Sequence, residues 1–385
     1  MSKRVSSVTL SGVRKIMEYA RGMQDVILLN IGEPDFVTPR HIREAAKKSI
    51  DEGFTHYTTI EGIPELREAI AEKLKSENRL YVDFESEILI TAGAQAAFFA
   101  VCQALLDPGD EVIVQDPFYS GYEVALRVAG AKIVSVPVKE QKGFAIDPNE
   151  IKEKITDKTK MVILISPNNP TGNVLDKHTL NAIADIAQDH DLLVVSDEIY
   201  EKITYDDLVN YSIGSIPGMK DRTITINGFS KAYAMTGWRI GFIATCKDLM
   251  ENIRKVHHAM NVCACSISQR AALAALTGPQ DCVAEMVREY DKRRREITSL
   301  LNEIPGFRCQ MPRGAFYVFP NVKHFKMSSM ELAKLLIKNA RVVTVSGTAF
   351  GRNGEGYLRL SYAASLEIIR EALARMKEAL KRLGF

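Results

Sequence analysis

The sequence contains little that marks a secreted, membrane-bound or nucleic-acid-binding protein. Six cysteines in 385 residues are too few for a disulfide framework and suit a reducing compartment. The apolar runs are short, and none approaches the roughly 20 residues that a membrane helix needs. The 50 basic and 48 acidic residues leave a formal charge of +2 without a basic block. We therefore expect small-molecule partners, with no nucleic acid and no membrane.

Two further absences concern targeting and metals. The first 15 residues (MSKRVSSVTLSGVRK) lack the apolar core of a signal peptide, which predicts a cytoplasmic protein. A basic, Ser-rich transit peptide is the alternative interpretation of this stretch. Cys263 and Cys265 form a C-x-C pair, but no second pair or histidine cluster lies at metal-ligand spacing. We therefore expect buried free thiols there and no metal site.

The composition is that of an ordinary globular protein, with 46% hydrophobic and 25% charged residues. A chain of 385 residues exceeds the size at which a single core keeps growing, so two lobes are expected. Short apolar strands, such as residues 161–165, alternate with helical patterns and predict an α/β lobe with a mostly parallel, doubly buried sheet. An amphipathic helix is predicted over residues 11–22. From about residue 281 the pattern indicates an α+β lobe.

Residues with reactive or polar groups follow the predicted strands directly. They are Gly93, Tyr119, Asn169, Asp197 and Lys231. Ligands of parallel sheets collect at the carboxyl ends of the strands, so we expect these residues to surround one binding site.

Lys231 is the central residue of this pattern. Its neighbours Gly228, Phe229, Ser230 and Ala232 are small or apolar. Loss of hydration lowers the pKa of a lysine and leaves a neutral amine that can attack a carbonyl carbon, which is the chemistry of a Schiff base. On this stretch alone, a lysine that extends from a strand end into solvent is the alternative.

The other strand-end residues extend this chemistry. Asp197 can hold a positive ring nitrogen, Tyr119 can stack on a flat ring, and Asn169 and Tyr200 can bond a ring oxygen. A phosphate can be bound by Arg239 with the backbone amides of residues 93–95.

These groups together predict a cofactor. Pyridoxal 5′-phosphate is the common cofactor that presents an aldehyde, a pyridine nitrogen, a phenolic oxygen and a phosphate in one molecule. A nicotinamide-dependent dehydrogenase is not favoured, because no G-x-G-x-x-G follows a predicted strand.

Short motifs along the chain resemble those of one enzyme family. Residues 227–231 (NGFSK) and 237–241 (GWRIG) surround the central lysine. Others are residues 31–35 (IGEPD), 168–172 (NNPTG), 196–200 (SDEIY) and 357–361 (YLRLS). On these motifs the sequence resembles the fold-type-I, class I/II aminotransferases, and most of all their aspartate and aromatic branch from bacteria and archaea.

The resemblance implies a fold and an assembly. The implied fold is pyridoxal-phosphate transferase fold type I, an α/β fold with a mostly parallel seven-stranded sheet in a large domain at residues 38–280. Residues 1–37 and 281–385 together would form a smaller α+β domain. The implied assembly is a homodimer with shared active sites, in which Tyr57 reaches the cofactor and catalytic centre of the other subunit.

The resemblance also implies how the cofactor is held. Lys231 would bind it as an imine and then move a proton, while Asp197 keeps the pyridinium protonated. Tyr119 would stack on the ring, and Asn169 and Tyr200 would bond the phenolic oxygen. The phosphate would be held by Arg239, Gly93, Ala94, Gln95 and, as a weaker candidate, Ser230.

For the substrate, the resemblance implies that Arg359 grips the α-carboxylate, assisted by Gly32 and Asn169. The alternative for Arg359 is an arginine that pairs with a surface carboxylate.

Gln95 departs from the pattern of some aspartate-specific relatives, which carry at this place a lysine that reads the distal carboxylate. A neutral Gln tolerates an uncharged side chain. We therefore expect transfer from an aromatic or broad-range L-amino acid to a 2-oxo acid, with 2-oxoglutarate as acceptor, by a ping-pong mechanism. The alternatives are an aspartate aminotransferase, a carbon–sulfur β-lyase or cyclopropane-forming synthase on the same fold, and a non-catalytic regulator.

Overall fold

The structure is a computed structural model that describes residues 3–6, residue 8 and residues 12–385. Its helices are α1 (Lys3–Ser6), α2 (Gly12–Tyr19), α3 (Arg40–Asp51), α4 (Pro64–Asn78), α5 (Ala94–Leu105), α6 (Gly121–Ala129), α7 (Pro148–Lys152), α8 (Lys177–Asp189), α9 (Lys247–Asn261), α10 (Ser266–Thr277), α11 (Asp281–Asn302), α12 (Ser329–Ala340) and α13 (Leu366–Arg382). The helix predicted over residues 11–22 corresponds to α2, which ends at Tyr19 and is followed by a turn at residues 20–22, and Ser11 lies outside the described residues.

The strands follow the predicted alternation with helices. They are β1 (Ile27–Leu28), β2 (Ile88–Thr91), β3 (Glu111–Asp116), β4 (Lys132–Pro137), β5 (Thr159–Ile165), β6 (Leu193–Asp197), β7 (Thr223–Gly228), β8 (Gly241–Ala244), β9 (Tyr317–Val318), β10 (Val342–Val343), β11 (Val345–Ser346) and β12 (Leu358–Ser361).

Seven strands form the central sheet in the order β2-β8-β7-β6-β5-β3-β4. All neighbours are parallel except β8, which runs antiparallel to both β2 and β7. On β5, Met161 and Ile163 pack into one hydrophobic core, whereas Val162 and Leu164 pack into a second core on the other face. This double burial explains the continuous apolar run. The predicted α/β class, with a mostly parallel seven-stranded sheet, is confirmed.

The loops that carry the predicted site residues lie at one edge of this sheet. Because β5, β6 and β7 are parallel, their carboxyl ends lie side by side, and β2 runs in the same direction as β7. The beginning of the antiparallel strand β8 lies at this edge as well. The loops after β2, β5, β6 and β7 therefore converge with the loop before β8.

Two smaller sheets come from the remaining strands. β1 pairs with β10, and β11, β12 and β9 form an antiparallel sheet. Arg359 lies on β12, and Tyr317 lies on β9 opposite Ser361. The division into domains at residues 37 and 280 stays a prediction.

The cysteines differ from expectation in their burial. All six are free thiols, but Cys265 is exposed and Cys263 is half-buried, so the predicted burial of this pair is wrong. The reason is local, because the two residues lie between α9 and α10 and Cys265 caps the amino end of α10. Across the described part of the chain, no helix combines the length and apolarity needed to cross a membrane.

Candidate active site

A cavity of about 590 Å³ opens where the loops at the carboxyl ends of the central strands converge. Most predicted site residues line it: Gly32, Ala94, Gln95, Tyr119, Asn169, Asp197, Tyr200, Ser230, Lys231, Arg239 and Arg359. Gly93 lies just behind this lining, next to Arg239. Tyr57 is not part of it, since its side chain is 84% exposed on the connection between α3 and α4.

Lys231 extends into the cavity from the loop after β7. Its Nζ donates a hydrogen bond of 2.7 Å to the carbonyl oxygen of Gly32. The same nitrogen lies 5.9 Å from the ring centroid of Tyr200 and 5.8 Å from that of Phe316. Burial lowers the pKa of Lys231 to about 8, although the carboxylate of Glu33 opposes the shift. A substantial neutral fraction near pH 8 is what a nucleophilic amine requires.

Asp197 ends β6 and is buried in the cavity wall. The hydroxyl of Tyr122 donates a 2.6 Å hydrogen bond to Oδ2, and the amide of Ile199 donates one of 3.1 Å to Oδ1. Burial raises the pKa of Asp197, and the hydrogen bond from Tyr122 partly offsets this shift. A carboxylate in such a place is stabilised by a cation beside it.

Arg239 and Gly93 form a cradle beside the amino end of α5. A Cβ placed on Gly93 would lie 2.6 Å from Nη2 of Arg239, and Gly93 has a φ of +87°, so both space and backbone require glycine. The guanidinium can therefore approach the first turn of α5, whose leading N–H groups have no acceptor within the helix. A guanidinium beside a helix amino end suits a phosphate.

Arg359 is a buried cation, with only 4% of its surface exposed. Its Nη1 donates to Oδ1 of Asn169 at 3.1 Å and its Nη2 to the carbonyl oxygen of Asn30 at 2.5 Å. Its Cζ lies over the rings of Tyr317 and Phe350 at 4.5 and 4.7 Å. Within the described chain, no carboxylate pairs with it and its Nε has no partner. An anionic ligand would compensate this charge.

Three further predicted residues, Tyr200, Tyr119 and Gln95, contact uncharged groups. The hydroxyl of Tyr200 lies 2.8 Å from that of Tyr317. The ring of Tyr119 packs edge-on against Tyr122, with 5.4 Å between centroids. Nε2 of Gln95 donates to the carbonyl oxygen of Gly121 at 3.3 Å. Because its side chain is a neutral amide, Gln95 brings no charge to the cavity.

Among the lining residues that sequence reasoning missed are Tyr122, Tyr317 and Asn30, and each of them contacts a predicted site residue. Tyr122 comes three residues after Tyr119, and its amide donates a 3.1 Å hydrogen bond to the Tyr119 carbonyl oxygen in the turn that leads into α6. That spacing was its available signal. Tyr317 lies in an aromatic strand that resembles ordinary core. Asn30 precedes the IGEPD motif, and neither atom of its buried side-chain amide has a partner among the described residues. A buried polar group without a hydrogen-bond partner in the protein indicates that a ligand binds next to it.

The fold and the cavity together define a class of protein. A buried lysine with a lowered pKa, a buried carboxylate and a guanidinium beside a helix amino end lie together at the carboxyl ends of a parallel sheet. These groups suit an enzyme that uses a phosphorylated aldehyde cofactor. The model of the family "Aminotransferase class I and II" matches residues 24–376. The chain belongs to this family of pyridoxal 5′-phosphate-dependent aminotransferases.

Individual relatives cover nearly the whole chain. An aspartate aminotransferase of Pyrococcus abyssi is 46% identical over 383 residues, which are 99% of this chain and 98% of that protein. Aromatic-amino-acid aminotransferase 2 of Thermococcus litoralis is 44% identical with the same coverage. The crystal structure of the aromatic aminotransferase from Pyrococcus horikoshii OT3 superimposes with a TM-score of 0.92 at 45% identity, over 96% of this chain and 99% of that one.

The residues present fit the family's cofactor. The cradle of Arg239 and Gly93 suits its phosphate, the buried carboxylate of Asp197 suits a protonated ring nitrogen, and Lys231 has the lowered pKa that imine formation needs. Asn169 and Tyr200 also line the cavity and can donate hydrogen bonds to the cofactor's phenolic oxygen.

Proposed function

We propose that the enzyme transfers the amino group of an aromatic or broad-range L-amino acid to a 2-oxo acid, with 2-oxoglutarate as acceptor, by a ping-pong mechanism. The observation that carries the proposal is Arg359, a buried cation without an anionic partner among the described residues, which lines the same cavity as Lys231. An α-carboxylate is the anion that amino acids and 2-oxo acids share, and a guanidinium can bind it through two parallel hydrogen bonds. Both half-reactions would therefore use the same arginine.

The proposed mechanism divides between cofactor and protein. Bound pyridoxal 5′-phosphate supplies an aldehyde that condenses with amines and a ring that accepts electrons from the substrate's Cα. Asp197, with its Oδ2 held by Tyr122, would keep the ring nitrogen protonated. Lys231 would attach the cofactor and, once released, carry a proton to and from the Cα. Arg359 would orient the substrate, and Asn169, whose Oδ1 is engaged by Arg359, would use its Nδ2 as a donor.

The proposed side-chain preference follows from charge in the cavity. Among the described residues, the cationic side chains of the lining are Lys231, Arg239 and Arg359, and each already has a role. Glu33 adds a negative charge, and Met17 and Ile31 add apolar surface. A distal carboxylate buried there without a cation would cost several kcal/mol. The distal carboxylate of 2-oxoglutarate therefore has to be bound by a donor other than these three cations. Aspartate aminotransferase remains a second candidate, because relatives with that name are as similar as the aromatic ones.

The specificity prediction compares donors. With 2-oxoglutarate saturating, we expect kcat/KM for phenylalanine or tyrosine to be at least equal to that for aspartate, because Gln95 cannot neutralise a second carboxylate. A preference for aspartate of about tenfold, roughly 1.4 kcal/mol in the transition state, would overturn the aromatic assignment. Gln95→Lys should raise kcat/KM for aspartate by about tenfold through the added charge, whereas the neutral control Gln95→Met should not.

We further propose a homodimer with shared active sites, because Tyr57 is highly exposed and lies outside the cavity of its own chain. Twofold pairing is the commonest assembly. The Tyr57 hydroxyl would donate a charge-assisted hydrogen bond to the phosphate of the cofactor in the other subunit. Tyr57→Phe removes this bond and should weaken cofactor binding by about tenfold. Tyr81→Phe is the matched control, since Tyr81 is also highly exposed and lies outside the cavity.

The complementation experiment mixes Tyr57→Phe subunits with Lys231→Ala subunits and purifies the hybrids through two different tags. In a shared-site dimer, the one site that retains Lys231 receives an intact Tyr57 from the other subunit. That site should bind the cofactor with wild-type affinity. An affinity equal to that of the Tyr57→Phe protein would place Tyr57 in its own subunit's site.

We also propose a cytoplasmic location. The six free cysteines support a reducing compartment.

A further inference from the structure

The hydroxyl of Tyr317 lies between the two parts of the cavity that the proposed function assigns to cofactor and substrate. Its oxygen is 2.8 Å from the hydroxyl of Tyr200 on one side. On the other side, its ring supports the guanidinium of Arg359, whose Cζ lies 4.5 Å from the ring centroid. Tyr317 is fully buried on β9 and lines the cavity.

The packing around Tyr317 fixes the position of this hydroxyl. A Cβ on Gly32 would collide with the Tyr317 oxygen, so the phenol fills the space that a side chain at residue 32 would occupy. The rings of Phe316 and Tyr200 lie against that of Tyr317, with centroids 4.9 and 5.9 Å away. Within the described part of the chain, Tyr200 is the hydrogen-bond partner of the Tyr317 hydroxyl. The hydroxyl is therefore held in contact with Tyr200.

The direction of the hydrogen bond follows from the role of Tyr200. A phenol has one hydrogen to donate and can accept through its oxygen. If Tyr200 donates its hydrogen to the cofactor's phenolic oxygen, then its own oxygen is left to accept from Tyr317. Consecutive hydrogen bonds polarise each other, so a donor behind Tyr200 makes Tyr200 a stronger donor.

We propose that Tyr317 is a positioning residue, whose hydroxyl donates to Tyr200 and strengthens the hydrogen bond that Tyr200 gives to the cofactor's phenolic oxygen. This inference rests on the proposed function, because it requires the assigned role of Tyr200. With the cofactor bound, a donor to its phenolic oxygen would stabilise negative charge there and would favour loss of the proton from the nitrogen that joins cofactor and lysine. The hydroxyl of Tyr317 thereby tunes a titration that can be seen in the visible spectrum.

The test is a spectrophotometric pH titration of holoenzymes, which reads the bound cofactor and not its turnover. Tyr317→Phe keeps the ring beneath Arg359 and removes only the hydroxyl. We expect it to raise the midpoint of the visible transition by about half a pH unit, and Tyr200→Phe by about one unit or more. The double variant should match Tyr200→Phe alone, because Tyr317 acts through Tyr200.

The control is a second buried pair of tyrosines. The hydroxyls of Tyr362 and Tyr205 lie 3.1 Å apart, and neither residue lines the cavity. Tyr362→Phe removes the contacts of this hydroxyl with Tyr205 and with the carbonyl oxygen of Ala315, 2.9 Å away, and should leave the midpoint unchanged. A fluorinated tyrosine at position 317, which makes the hydroxyl a stronger donor without removing it, should lower the midpoint. This last measurement serves if the Phe variant does not fold.

Two results would overturn the inference while leaving the proposed function intact. One is an unchanged midpoint in Tyr317→Phe when Tyr200→Phe moves it. The other is a further shift on adding Tyr317→Phe to Tyr200→Phe, which would show that Tyr317 acts independently. If Tyr200→Phe also has no effect, the inference fails together with the assigned role of Tyr200. Amino-acid half-reactions on the same wild-type sample then test the proposed transamination separately.

Discussion

Replacing Lys231 by Ala should lower turnover by about 10⁴-fold, because the variant loses both the attacking amine and the group that carries the proton. The side chains of Arg239 and Asp197, which are proposed to hold the phosphate and the ring nitrogen, remain, so the cofactor should still bind without a covalent link. The measurements are steady-state turnover and peptide mapping after borohydride reduction. In the wild type, reduction should fix the cofactor to the peptide that contains residue 231.

The control for this variant is Lys247→Ala, an exposed lysine in the first turn of α9. Its turnover and its reduced peptide map should equal those of the wild type. Covalent label on any peptide without residue 231, or substantial activity in Lys231→Ala, would contradict the assignment of the nucleophile.

Replacing Asp197 by Asn should lower the rate of the half-reaction by about 10²-fold or more while weakening cofactor binding far less. A neutral amide cannot hold a positive charge on a ring nitrogen, and Tyr122 would lose its anionic acceptor. Stopped-flow spectroscopy with a single amino acid measures the rate of the chemical step directly.

Asp116 offers a matched control, since it is another buried carboxylate at the end of a central strand but does not line the cavity. Its Oδ1 and Oδ2 accept hydrogen bonds from the backbone and side chain of Asn353. Asp116→Asn should keep the half-reaction within a few-fold of the wild type. Equal losses in both variants would mean that Asp197 acts through folding and not through the cofactor.

The outline of the active site could be predicted because its signals are local. Lys231 and Asn169 each follow a strand within a few residues, and Asp197 is the last residue of one. The sheet is parallel at those strands, so their convergence is a consequence of topology. The burial of Cys263 and Cys265 was predicted wrongly, because cysteine composition indicates burial on average and says nothing about a turn between two helices.

The sequence by itself determined the α/β class and the cofactor, and it predicts Lys231 as the lysine that binds this cofactor, since each inference rests on neighbouring residues or on strand-end positions. Only the tertiary structure decided which distant residues contact the side chains of the active site. Asp197 meets Tyr122 across 75 residues, Tyr200 meets Tyr317 across 117, and the carbonyl of Asn30 meets Arg359 across 329. Such contacts depend on how separate sheets and loops pack against one another, and packing is set by the whole folded chain, because no local pattern of residues encodes the distance between two side chains so far apart in sequence.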